Sequence, residues 1–147
     1  METLGSLCDK LTIVKLKQWH SDDKIKLQSL ELQEKQLVEE IDSFIVDSLS
    51  GVIPSNKLKY SSNKVYKVTG NEIRKIEGDN IGNIFAELAG INCALWHEQE
   101  KIYDLENIAV ENKDAVFKNL SRMNLERTFC IDKIDTIIYN KIVNKID

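Results

Sequence analysis

Proline and glycine are scarce in this chain of 147 residues, which contains one proline, Pro54, and six glycines. Because these two residues interrupt regular backbone structure most strongly, few breaks are forced on the chain. Most of the remaining residues are good helix formers. The composition therefore favours long helices.

Long hydrophobic runs and an excess of positive charge are also missing. No apolar run approaches the ~20 residues of a transmembrane helix. The N-terminus opens with Glu2 and lacks the basic-then-apolar layout of a signal peptide. With 20 Lys+Arg against 24 Asp+Glu, the net charge is −4, which argues against a nucleic-acid-binding surface. We expect a cytoplasmic protein with no membrane span and no nucleic-acid partner.

Residues that commonly hold metals or form disulfides are few. Cys8, Cys93 and Cys130 form no C-x-x-C motif, and we expect three reduced thiols. The di-iron site of ferritin-like bundles needs Glu-x-x-His on two helices, and neither His20 nor His97 is preceded by such a Glu. There is also no glycine-rich phosphate loop. We expect no metal site and no cofactor.

Apolar residues that recur every three or four positions predict four amphipathic helices. The first runs over about 4–20 with Thr3 as N-cap, and the second follows Ser21 and runs to about Phe44 or a turn beyond. The third runs from Asp79 or Asn80 to about Glu106, and the fourth follows a short link at 107–112 and ends near the C-terminus. Between the second and third helices, residues 49–80 contain turn signals such as Gly51 and Pro54. A segment this long is seldom structureless.

The sequence thus predicts an all-α fold: a bundle of four main helices with a long, partly ordered crossover between helices 2 and 3. We expect a helical turn near 71–76 within that crossover. A hydrophobic fraction of 42% and a charged fraction of 30% are globular values. The length suits one domain over residues 1–147.

Several polar side chains fall on or beside the predicted apolar stripes when each helix is drawn at 100° per residue. They are Lys15, Asn92, Glu98, Gln99, Asn124, Arg127 and Asp135. A charged side chain on an apolar stripe needs a partner, because burying an unpaired charge is costly. For Arg127 we expect that partner to be Glu98, with Asp135 as the second choice.

These polar residues allow two interpretations. The first is a buried network that fixes the register of the helices. The second is a polar pocket between the first, third and last helices, in which Lys15 and Arg127 face an anionic ligand and Asn92, Gln99 and Asn124 orient it.

Two further groups also have a structural and a functional interpretation. Trp96 lies with Phe85 and Tyr103 along one edge of the third helix, which is typical of helix packing. The alternative is that these rings form a platform for a sugar ring. Asp132 and Asp135 share a face of the last helix. Such pairs are usually solvated surface, but facing carboxylates in a bundle can also hold Mg²⁺.

Three segments resemble a family of small uncharacterised bacterial proteins encoded beside lipopolysaccharide and other surface-polysaccharide genes. Residues 7–17, after Gly5, are similar to the family opening Gly-x-Leu-x-Asp-Lys-Leu-(Ser/Thr)-Ile-Leu-x-x-Lys. Residues 92–98 resemble Asn-x-x-Leu-Trp-x-x-Glu, with one residue fewer before the Glu. Residues 124–127, followed by 131–132, resemble Asn-x-x-Arg…Ile-Asp.

The resemblance implies an all-helical cytoplasmic protein of surface-polysaccharide metabolism, and it supplies no reaction. The residues that it points to are Lys15, Asn92, Trp96, Glu98, Asn124 and Arg127. With Gln99, these are our candidate ligand-binding residues, and no catalytic residue can be assigned. We expect an accessory or ligand-binding protein whose partner is an anionic sugar, a nucleotide-sugar or a glycan-biosynthesis enzyme.

Two alternatives stay open at this point, so the sequence does not decide whether the protein is an enzyme. One is a Mg²⁺-dependent all-helical nucleoside-triphosphate pyrophosphohydrolase, although the third helix lacks the Glu-x-x-Glu of that class. The other is a purely structural helical oligomer. An exposed apolar edge on the long helices is compatible with a homodimer.

Overall fold

A computed structural model describes residues 2–60 and 76–144 of the chain. Four α-helices account for most of them: α1 (Leu4–Trp19), α2 (Lys24–Leu49), α3 (Ile81–Tyr103) and α4 (Val110–Val143). Short 3₁₀ turns at Ser55–Lys57 and Leu105–Asn107 come before α3 and α4, and the described residues contain no strand. The expectation of an all-α bundle of four main helices is confirmed.

The helices begin where polar side chains satisfy their free amide groups. Thr3 caps α1 as predicted, because its hydroxyl accepts a hydrogen bond from the Ser6 amide at 3.3 Å. The Asp23 carboxylate caps α2, so this helix begins at Lys24, three residues after Ser21. The Asn80 side chain accepts from the Gly82 amide at 2.9 Å and caps α3.

The helix ends agree less well with the sequence prediction. Helix α3 ends at Tyr103 rather than near Glu106, and a 3₁₀ turn covers the difference. The helical turn that we expected near 71–76 falls on residues 71–75, which lie outside the described residues. Ile76, at its end, packs against the core. None of the described helices is long and apolar enough to cross a membrane.

Helix α1 is the central element of the bundle, because it packs against each of the other three helices. The main neighbour of α2 is α1, whereas α3 and α4 also form a long antiparallel hairpin. Buried apolar side chains from all of these helices and from the 3₁₀ turn form one core: Leu4, Leu7, Cys8, Phe44, Leu58, Ile84, Leu88, Ile91, Met123, Cys130, Ile134, Ile137 and Ile138.

Two positions that the helical wheel put on apolar stripes are exposed instead. Gln99, which falls on the predicted stripe of the third helix, is exposed, and Phe117, one of the apolar residues of the predicted stripe of the fourth helix, is 50% exposed. At 1.5 Å per residue, α1 spans about 24 Å and α4 about 51 Å. The outer part of the α3–α4 hairpin therefore extends beyond α1, so a stripe that continues into it lacks the cover that α1 provides elsewhere.

Helices α1 and α4 come into backbone contact at Gly5. A Cβ atom added to Gly5 would overlap the backbone carbonyl oxygen of Ile131 and lie 3.0 Å from Oδ1 of Asp135. The Gly5 amide, one of the free amides in the first turn of α1, donates to the same Oδ1 at 2.7 Å. This position requires glycine because the backbones touch.

We predict that Gly5→Ala destabilises the protein by about 1–3 kcal/mol, the usual cost of forcing extra volume into a packed contact. Gly90→Ala is the matched control, since no atom lies within 4 Å of its added Cβ and alanine is favoured over glycine inside a helix by about 0.5–1 kcal/mol. Urea denaturation should show opposite signs for the two variants. Equal stabilisation by both would contradict the close approach of α1 and α4.

Candidate functional site

Four polar side chains from three helices form a buried cluster, which we call the Asp9 cluster. Arg127 of α4 donates through Nε and Nη2 to Oδ1 and Oδ2 of Asp9 in α1, at 2.8 and 2.5 Å. Nδ2 of Asn92 in α3 donates to Asp9 Oδ1 at 2.9 Å and to Thr12 Oγ1 at 2.6 Å. The Thr12 hydroxyl donates in turn to the Asp9 carbonyl at 2.7 Å.

The partner of Arg127 is therefore Asp9, and the prediction of Glu98 or Asp135 is wrong. Glu98 lies on α3 and pairs with Lys101 at 2.8 Å, while Asp135 faces the first turn of α1. Asp9 was missed because α1 was assigned a single apolar stripe, whereas a helix with three neighbours buries a wider arc. The available signal was the spacing of Gly5, Asp9 and Thr12, which lie on one face of α1.

The ion pair in the Asp9 cluster is largely withdrawn from solvent. The side chain of Asp9 is 6% exposed and that of Arg127 is 31% exposed. The hydrogen bonds to Asp9 raise the pKa of Arg127, against the opposing effect of burial. A bidentate pair of this kind fixes both the spacing and the rotation of the helices that carry it. This geometry supports the register-fixing interpretation of the polar residues.

The structure does not bring Lys15 and Arg127 together. Lys15 Nζ donates to Glu34 of α2 at 2.9 Å, and Gln18 donates to the same carboxylate at 2.8 Å. These two hydrogen bonds lower the pKa of Glu34. Lys15 thus joins α1 to α2, on a different side of α1 from Arg127. Asn92 is buried in the Asp9 cluster, whereas Asn124 is half-buried.

A second group of polar and aromatic residues lies at the end of α1. The rings of Trp96 and His20 stack with centroids 4.6 Å apart and an interplanar angle of 20°. His97 approaches the His20 ring edge-on, with centroids 6.3 Å apart. Trp96 Nε1 donates to Glu100 at 2.9 Å, and His20 Nδ1 lies 2.8 Å from the Leu16 carbonyl oxygen. These bonds hold the stacked pair in place.

The stacked pair forms one wall of an open pocket of about 380 Å³, which we call the Trp96 pocket. Its lining comes from α1, the turn after it, α2 and α3, and comprises Lys17, His20, Ser21, Lys26, Ser29, Leu30, Gln33 and Trp96. Within residues 2–60 and 76–144, neither Lys17 nor Lys26 forms an ion pair. The pocket therefore presents two cations beside an aromatic surface.

Of the candidate ligand-binding residues, Trp96 alone lines this pocket. Lys17 and Lys26 were missed because each lies on an exposed helix face, where a lysine usually has no role beyond solvation. Only the turn between α1 and α2 brings the two together. The one available signal for Lys17 is its place as the last residue of the opening segment, 7–17.

Carboxylates line a larger cavity of about 660 Å³ between α3 and α4. Its charged residues are Glu77, Glu87, Arg122 and Glu126, and Arg122 lies 3.8 Å from buried Glu126. Among the residues that the structure describes, no group of three or more His, Cys, Asp and Glu could hold a metal ion. Asp132 and Asp135, the predicted carboxylate pair, are not part of this cavity.

No protein-family model, curated protein or solved structure matches the chain. The resemblance to the surface-polysaccharide family therefore rests on the three short segments at 7–17, 92–98 and 124–132. What it implies about function enters below as a proposal.

Asp135 is a buried carboxyl group with an unusual pKa. Burial, with a smaller contribution from the charge of Asp132, raises this pKa to about 6, although hydrogen bonds from the Gly5 amide and the Thr3 hydroxyl oppose the shift. Its Oδ2 has no hydrogen-bond partner among the described residues. Nearby, burial and then the charges of Asp135 and Asp9 raise the pKa of Cys8 to about 12, so this thiol is unreactive.

We predict that Arg127→Met destabilises the protein by about 3–5 kcal/mol, because it leaves the Asp9 carboxylate buried without its partner. Lys15→Met is the matched control. It removes the exposed pair with Glu34, and such pairs contribute about 0–1 kcal/mol. Chemical denaturation of both variants measures the difference, and similar small losses in the two would show that the Asp9 cluster does not stabilise the fold.

We predict that Asp135 makes the protein less stable as pH rises from about 4 to 6. In that range the carboxyl is ionised in the unfolded chain but protonated in the folded one, so the folded state binds more protons and its stability falls with pH. Asp135→Asn keeps an acceptor for the Gly5 amide and removes the titration. Relative to the variant, wild type should lose about 2–3 kcal/mol between pH 4 and pH 7. Parallel pH profiles would contradict this.

Proposed function

We propose that the protein is a non-catalytic accessory protein of surface-polysaccharide biosynthesis that binds an anionic sugar in the Trp96 pocket. One observation carries this proposal: two lysines without ion-pair partners among the described residues lie beside a stacked pair of aromatic rings in one pocket. Cations and aromatic rings bind different parts of a sugar phosphate.

The charges of the pocket suit a phosphate group. Lys17 and Lys26 come from different helices and line the same pocket, and ammonium groups commonly bind phosphate as point charges. Since no described carboxylate neutralises either lysine, their charge is available to a ligand. The hydroxyls of Ser21 and Ser29 and the amide of Gln33 add donors and acceptors of the kind that sugar hydroxyls need.

The size of the pocket favours a small ligand. Pockets for small molecules have volumes of about 300–1,000 Å³, and the Trp96 pocket, at about 380 Å³, lies near the lower limit. This volume suits a sugar phosphate, or the sugar-phosphate part of a nucleotide-sugar. The pocket is open, so the remainder of a larger ligand could extend into solvent.

The pathway in this proposal comes from the resemblance between the three sequence segments and the surface-polysaccharide family. Lys17 and Trp96 belong to two of those segments and line the pocket. Asp9, Asn92 and Arg127 belong to the same segments and form the Asp9 cluster. Because that cluster joins α1 to α3, it also sets the distance between His20 and Trp96, which those two helices carry.

We predict that hexose 1-phosphates and nucleotide-sugars raise the melting temperature of the protein, whereas uncharged hexoses at the same concentration have little effect. A ligand at about 100 times its Kd adds about 2.7 kcal/mol of stability, which a thermal-shift assay detects readily. The variant with Lys17→Ala and Lys26→Ala should bind at least about tenfold more weakly by calorimetry, because it removes both cations.

Lys118→Ala is the matched control, since Lys118 is exposed on α4 and does not line the Trp96 pocket. Affinity should be unchanged in this variant. The proposal fails if no sugar phosphate or nucleotide-sugar binds, or if binding is the same in the double-lysine variant and in wild type.

A further inference from the structure

Helix α2 leaves much of its apolar surface uncovered. Three of its 26 residues are buried, namely Leu30, Phe44 and Ser48. By contrast, Ile25, Leu32 and Val46 are 79%, 58% and 63% exposed. A surface helix of a monomer normally turns such residues inward, so this helix has more apolar surface than its contact with α1 uses.

The exposed apolar residues of α2 form a line along the helix. Ile25, Leu32 and Val46 are separated by seven and fourteen residues, so they occupy the same position in successive heptads. Glu39 occupies that position in the heptad between Leu32 and Val46. At 100° per residue, this line lies roughly opposite Leu30 and Phe44. It is therefore directed away from the bundle, along a helix about 39 Å long.

The charges of α2 are divided between its two halves. Residues 24–36 carry three lysines and two glutamates, for a net charge of +1, whereas residues 37–49 carry four carboxylates and no lysine or arginine, for a net charge of −4. Two copies of α2 placed parallel would set one acidic half against the other. Two antiparallel copies set each acidic half against the more basic one, and they also align the helix dipoles favourably.

We infer that the protein forms a homodimer through antiparallel pairing of α2 with α2 of a second copy. With a two-fold axis between Lys35 and Gln36, Ile25 lies opposite Val46 of the partner subunit and Leu32 opposite its Glu39. Lys35 then lies within one helical turn of the partner's Glu39. A second copy of the chain fits this surface, because a two-fold interface must be complementary to itself. The acidic half and the more basic half of α2 are complementary in charge.

This interface is separate from the proposed sugar site. The residues of α2 that line the Trp96 pocket, Lys26, Ser29 and Gln33, lie to one side of the exposed apolar line, toward α1. Dimerisation and ligand binding can therefore be tested independently.

Light scattering coupled to size exclusion should give a dimer mass for wild type. Leu32→Glu should weaken the dimer at least about tenfold, because it removes an apolar side chain from the interface and sets a second carboxylate against the partner's Glu39. Phe117→Glu is the matched control, since Phe117 is equally apolar and 50% exposed on α4, and it should remain dimeric. A monomer at all concentrations of wild type, or equal effects of the two variants, would overturn the inference.

Charge exchange tests the antiparallel orientation. Lys35→Glu and Glu39→Lys should each weaken the homodimer, because each places like charges near the two-fold axis. The variant that carries both changes should recover the dimer, and an equimolar mixture of the two single variants should form a heterodimer. If neither the double variant nor the mixture dimerises better than the single variants, the proposed pairing is wrong.

Discussion

The ion pair between Asp9 and Arg127 is the interaction on which the arrangement of the other helices depends. It forms a bidentate contact between α1 and α4, with hydrogen bonds of 2.8 and 2.5 Å. Asn92 of α3 donates a hydrogen bond to the same carboxylate. Each of these hydrogen bonds has a narrow range of distance and angle. Hydrophobic packing alone would allow the helices to rotate or slide, whereas the cluster admits one register.

The Gly5 contact and the Asp9 cluster define a single line of approach between α1 and α4. At one point the Gly5 amide meets Asp135, and one helical turn further along α1 the Asp9 carboxylate meets Arg127. Helix α1 is thereby fixed at two points to α4 and at one to α3. Its far end then carries His20 to the ring of Trp96. The position of the candidate pocket thus follows from contacts with α4 that lie about three to four turns earlier in α1.

The sequence was sufficient for the fold class and for much of the local structure. Periodicity located four helices, Thr3 was correctly assigned as the cap of α1, and Asn92 was correctly expected on a buried face. The errors came from tertiary context. Gln99 is exposed because α3 extends past the end of α1, and Asp9 was overlooked because a central helix buries more than one stripe. Helical periodicity contains no information about how many neighbours a helix has.

The candidate pocket was the least predictable feature, because it is assembled at the ends of helices rather than along one of them. Lys17 and Lys26 are nine residues apart and come together through a four-residue turn between α1 and α2. Trp96 belongs to α3 and lies more than seventy residues after this turn in the sequence. Apart from Trp96, no candidate drawn from the helical wheels lines this pocket, and the residues expected to clamp an anion, Lys15 and Arg127, are each committed to a carboxylate.

The most direct test of sugar-phosphate binding uses the two tryptophans of the chain as reporter and internal control. Trp96 lines the candidate pocket, whereas Trp19 is 86% exposed and is not part of that lining. In a ¹H–¹⁵N NMR titration with a hexose 1-phosphate, the indole signal of Trp96 should move in a saturable manner while that of Trp19 stays in place. If both signals move together, or neither moves, the proposed site is wrong.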